Sequence, residues 1–163
     1  MKDIKKPVIY VYYSVLCTLA HSLDEVAYAY AHELGHLVLD HHVGPDLSKQ
    51  CYQVCGTADN DNDTWWSCCD PIVAPTVNPQ EDAADRYAFN LLSKRESPFK
   101  AAAGTASMQH VQDWRWATGN DNGPGSPKHA PAVQRAETFR QWERERLQKV
   151  QEAIDATPKA FPE

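Results

Sequence analysis

The chain has 163 residues, 42% of them hydrophobic and 23% charged, which suits one globular domain around one core and leaves little room for a second. Its 16 Lys and Arg against 22 Asp and Glu give a formal net charge of -6, which excludes a broad basic face for tracking nucleic acid. No apolar run approaches the roughly 20 residues that cross a bilayer, so the chain reads as soluble, with no transmembrane segment.

The first element is predicted at Val8 to Tyr13, where Val-Ile-Tyr-Val-Tyr-Tyr is β-branched and aromatic and favours a strand. With Lys2, Lys5 and Lys6 before it and Thr18-Leu19-Ala20 after it, this stretch also has the outline of a secretory signal, although its tyrosines suit a strand better than an apolar signal core. Ser14 is placed to cap a short helix through Leu19. Ser22-Leu23-Asp24-Glu25 has capping-box form, and Leu23, Val26, Ala27, Tyr30, Ala31, Leu34, Leu37 and Val38 then recur at helical spacing until Gly44-Pro45. Residues 43–80 combine prolines, an Asp/Asn run and four cysteines with little periodicity, which predicts a long Cys-rich insertion loop. A helix follows from Gln80 to Lys94, another from Ala101 to Arg115, turn formers fill 118–131, and Pro131 opens a last helix to Ala156.

The chemistry is concentrated in His32-Glu33-Leu34-Gly35-His36. Two histidines four residues apart stand about 40° apart around a helix, so both imidazoles reach one zinc ion with the glutamate beside it. This is the H-E-x-x-H pattern: neutral imidazoles hold the metal, zinc acidifies its water, and Glu33 accepts the proton as that water attacks a carbonyl. A catalytic zinc takes three protein ligands and keeps one position open. There are two candidates for the third. His42 lies six residues after His36, the metzincin spacing, but Leu39 stands where that pattern has its turning glycine, and Met108 sits in no convincing Met-turn. Glu81 shares a helix face with Asp85, flanked by alanines that permit close approach, and Asp85 is then placed to accept a hydrogen bond from the far nitrogen of a ligand histidine.

His32-Glu33-Leu34-Gly35-His36 followed by Glu81-x-x-Ala84-Asp85-x-x-Ala88 resembles the gluzincins, and within them the HtpX-like and CaaX-prenyl-endopeptidase-like zinc peptidases. Upstream, Val8-Ile-Tyr-Val-Tyr, a connector and Asp24-Glu25-Val26-Ala27 are similar to that family's strand and approach to its active-site helix. Downstream, Ser126-Pro127-Lys128-His129-Ala130-Pro131 with Arg135 resembles its His-Pro segment, with Ala130 intruding. The resemblance touches residues 7–42, 81–98 and 126–140 and does not cover the cysteine region. It implies a zincin-like metallopeptidase domain of α+β, mainly helical structure over residues 1–163, with an active-site helix, a short N-terminal strand, a long loop between metal ligands and a C-terminal helix over 131–156. It also implies His32, His36 and Glu81 as ligands of one catalytic zinc, Glu33 as general base, Asp85 behind a ligand histidine, and His129 or Arg135 at the oxyanion or substrate. The substrate would be a peptide or protein. A sibling expectation is the ImmA/IrrE type, a similar peptidase that cuts a regulator; from another class, the alternative is a silent zinc-binding scaffold, against which the base Glu33 argues.

Cys51, Cys55, Cys68 and Cys69 either close two disulfides, which imply an oxidising compartment, or bind a second zinc; the adjacent pair Cys68-Cys69 is awkward on one metal. Without a clear signal peptide the cytoplasm remains the simplest compartment, with an extracytoplasmic one implied by the disulfides.

Overall fold

A computed structural model of the chain describes residue 9 and residues 20–41, 45–56, 62–94, 96–117 and 131–156. Every element among them is helical: α1 Leu23–Val38, α2 Pro45–Cys55, α3 Asn62–Leu92, α4 Ala103–Ala117 and α5 Ala132–Asp155. The expected strand Val8 to Tyr13 and the short helix Ser14 to Leu19 lie outside the described residues, apart from Ile9. No helix of the described residues is long and apolar enough to cross a membrane.

Helix α1 starts where its capping box predicts. The Ser22 hydroxyl accepts from the Glu25 backbone N–H at 3.3 Å and donates to Glu25 Oε1 at 2.9 Å, while the His21 N–H reaches Glu25 Oε2 at 3.3 Å. Donors left open by the first turn are thereby satisfied. The helix ends at Val38, six residues before Gly44, because Asp40 adopts the left-handed conformation (φ 55°). Aspartate tolerates that region better than most residues because its short polar side chain bonds locally.

The long loop expected over 43–80 is replaced by α2 and the first half of α3. Pro71, Pro75 and Pro79 stand inside α3, where each removes a helical hydrogen bond. Their four-residue spacing puts all three on one exposed face, while Cys69, Val73 and Val77 form the opposite, buried stripe. Two disulfides, Cys51–Cys69 and Cys55–Cys68, tie α2 across this stretch. Closing loops of 18 and 13 residues restricts the unfolded chain; a single such bridge is worth about 3 kcal/mol in the chain-entropy account. The cysteine alternatives are thus resolved in favour of disulfides, with Leu47 and Ile72 packed around them.

The second half of α3 continues the same stripe as Glu81, Ala84, Asp85, Ala88 and Leu92, and packs on α1. A separate cluster lies beneath, where Tyr28 and Ala31 of α1 meet Ala88 and Phe89 of α3, Met108 of α4, and Ala136 and Phe139 of α5. Phe139 stands edge-on to Tyr28 at 5.3 Å between ring centres, an arrangement aromatic pairs prefer.

Gly35 sets the distance between α1 and α3. A methyl group there would lie 3.1 Å from Ala84 Cα and 3.2 Å from its carbonyl oxygen, both backbone atoms that cannot rotate aside. Ala84 and Ala88, fully buried, complete a small-residue seam. Gly35→Ala is expected to push the helices apart and destabilise the fold by about 1–3 kcal/mol despite alanine's better helix propensity. A chemical denaturation curve decides it: a midpoint unchanged or raised would mean that the seam has slack.

Candidate metal centre

The close α1–α3 seam carries four polar side chains into an otherwise apolar layer. His32 is 8% exposed, Glu81 9% and Asp85 3%, with His36 partly buried beside them. His32 Nε2 lies 3.1 Å from His36 Nε2 and 3.1 Å from Glu81 Oε2, and His36 Nε2 lies 3.4 Å from Glu81 Oε1. These three side chains form a group able to hold a metal ion, with one donor atom from each all within 4.8 Å of one another. The expected ligand set is therefore brought together from α1 and α3, across 49 residues of sequence between His32 and Glu81.

Behind the triangle, His32 Nδ1 meets Asp85 Oδ1 at 2.8 Å. The same oxygen accepts from the Tyr28 hydroxyl at 2.6 Å and from Arg135 Nη2 at 2.7 Å, while Asp85 Oδ2 accepts from Arg135 Nε at 2.7 Å. Asp85 is thus the hub through which α5 holds the orientation of a ring on α1. Burial pushes its carboxyl upward, but the His32 and Arg135 hydrogen bonds outweigh this and hold it at about 2. Burial likewise pushes the His32 imidazole down, yet contact with Asp85 and Glu81 raises it to about 9. The Tyr28 hydroxyl is driven well above its ordinary range by burial and by the neighbouring Asp85 charge.

Asp85 therefore meets a ring nitrogen of His32, Nδ1, while Nε2 of the same ring faces His36 and Glu81. Arg135, expected at the oxyanion or substrate, is instead directed at Asp85 through Nε and Nη2, and its 12% exposed side chain forms a bidentate ion pair. Glu33 is exposed on the turn between the two histidines. His129 and His42 lie outside the described residues.

Two contributors were missed. Tyr28 had a legible signal: it lies four residues before His32 and so shares its helix face. His41 had none, because it follows the break in helical register at Asp40; its Nδ1 lies 3.1 Å from His36 Nδ1. An apolar groove of about 610 Å³, lined by Leu23, Val26, Tyr30, Leu34, Leu91 and Phe99 among others, runs along a different face of α1, and none of His32, His36, Glu81 and Asp85 lines it. Comparison with protein-family models, curated proteins and solved structures finds no match.

Proposed function

We propose that this chain is a zinc-dependent metalloendopeptidase. The observation that carries the reading is the His32–His36–Glu81 group: the two Nε2 atoms lie 3.1 Å apart, and Glu81 meets them through different oxygens, Oε2 at 3.1 Å from His32 and Oε1 at 3.4 Å from His36, so that one donor atom from each residue lies within 4.8 Å of the others. Ligand atoms about 2.0–2.2 Å from a tetrahedral zinc lie about 3.3–3.6 Å from one another, so the two imidazole nitrogens need little movement to seat the ion, while the Glu81 carboxylate has to turn one oxygen towards both. Two histidines and one glutamate are a ligand set of catalytic rather than structural zinc, since structural sites close all four positions.

Zinc held there would supply a Lewis acid that polarises a peptide carbonyl and acidifies water. Asp85 keeps His32 in the tautomer that offers Nε2, and Arg135 with Tyr28 keeps Asp85 in place. Glu33, alone of the motif residues in facing solvent, is the general base that takes the proton of the attacking water and delivers it to the leaving amine. The two disulfides favour an oxidising compartment.

The test is metal content by elemental analysis together with cleavage of an unfolded protein such as casein, for the wild type and Glu33→Gln. Both are expected to carry one equivalent of zinc. Cleavage is expected to fall by about 10²–10⁴ in the variant, the range removed with a general base. Equal cleavage by the two proteins would sink the mechanism. A zinc-loaded wild type that leaves casein intact but cuts one regulator would identify the ImmA/IrrE-type reading, and inertness towards both would leave the silent scaffold.

A further inference from the structure

Helix α1 ends in a Schellman motif. The Asp40 N–H donates to the Leu37 carbonyl at 3.4 Å, and the His41 N–H reaches back to the His36 carbonyl at 2.9 Å, with Asp40 left-handed between them. This closure ordinarily brings two apolar side chains together, from the residue after the left-handed position and from the one whose carbonyl is capped. Here those two residues are His41 and His36. Their rings meet at 69° with centres 5.1 Å apart, and the Nδ1 atoms are 3.1 Å apart. The pair is joined twice, once through backbone and once through side chains, and the left-handed residue in the link is not glycine.

Resting on the metal reading above, we infer that His41 is a positioning residue for the centre: it accepts the Nδ1–H of His36 and so fixes His36 Nε2 towards the ion. The assignment of roles follows from proton counting. An imidazole that offers Nε2 to a metal carries its proton on Nδ1, and the nearest partner of His36 Nδ1 is the facing nitrogen of His41, which must then present a lone pair and carry its own proton on Nε2. His32 is held from behind by a carboxylate, and His36 by a second imidazole. The two ligands are thereby oriented by different chemistry: Asp85 adds a charge behind His32, whereas His41 adds direction without charge. His41 itself is outside the triangle and contributes no ligand atom to it.

Three proteins separate this role from simple packing: wild type, His41→Ala and His41→Asn, whose amide oxygen can accept the same proton. His41 is only partly buried, so the variants are expected to fold, with metal-free melting temperatures close to that of the wild type. In competition against a chromophoric chelator, His41→Ala is expected to bind zinc about 10–100-fold more weakly, and His41→Asn to recover most of that loss. In nitrogen-15 spectra of the zinc-loaded wild type, the His36 ring should show a protonated Nδ1. Unchanged zinc affinity in His41→Ala, or an Asn variant as weak as Ala, would overturn the role while leaving the metal centre intact. A wild type that takes up no zinc would instead overturn the metal reading and this inference with it.

Discussion

Replacing Asp85 by alanine is expected to destabilise the fold by about 3–5 kcal/mol and to weaken zinc binding by about 10–100-fold. Both effects come from one carboxylate with four short hydrogen-bond contacts. Its removal leaves the Arg135 guanidinium, with a side chain only 12% exposed, as an uncompensated charge beneath the centre. It also removes the group that orients His32. The two consequences are separable because a buried ion pair replaced as a pair by apolar groups of similar shape is often tolerated. Asp85→Leu combined with Arg135→Met should therefore regain most of the lost stability in urea denaturation, yet bind zinc as weakly as Asp85→Ala. If the double variant recovered zinc affinity together with stability, Asp85 would act on the metal only by holding α5 in place.

The candidate metal-holding group was largely legible in the sequence because its parts obey the helical period. His32 and His36 lie four residues apart within one apolar helix, and Glu81 and Asp85 repeat that spacing in another, so each pair declares a common face before any tertiary contact is known. The partner of Arg135 was not legible: Asp85 is 50 residues away, and nothing local distinguishes an arginine that enters an ion pair from one that meets substrate. His41 escaped for a different reason. A helical wheel ends where the chain enters the left-handed region, and the register beyond Asp40 depends on a backbone turn that no periodicity encodes. The helix over 62–80 was hidden by a correct rule applied without its geometry. Three prolines each oppose a helix, but at intervals of four they share the exposed side, and the buried Cys69–Val73–Val77 spacing on the other side was already present in the sequence.

Zinc uptake should depend steeply on pH, and in the direction opposite to the stability of the metal-free protein. The metal-free His32 imidazole is raised from 6.5 to about 9, since both ring nitrogens face carboxylates, Nδ1 at 2.8 Å from Asp85 and Nε2 at 3.1 Å from Glu81. A group whose pKa is raised by folding stabilises the fold fully below its unfolded value, and that contribution is lost as pH rises through the folded value. For His32 the window runs from pH 6.5 to about 9, with a contribution on the order of 3 kcal/mol. Zinc requires the same Nε2 without its proton, so uptake below about pH 9 expels one proton from His32, and apparent affinity should rise about tenfold per pH unit across the window. Both trends express the same proton in one observable: metal-free stability falls while zinc-loaded stability stays level, so the gap between their melting temperatures should widen from pH 6.5 to about 9. At the acid end the sign reverses for Asp85. Its carboxyl is held near 2 against an ordinary 3.8, so its contribution is present above 3.8 and disappears only as pH falls through 2. Calorimetric titration of zinc in buffers of different ionisation enthalpy would count the released proton. A melting-temperature gap that stayed constant from pH 6.5 to 9 would mean that His32 is already neutral in the metal-free protein.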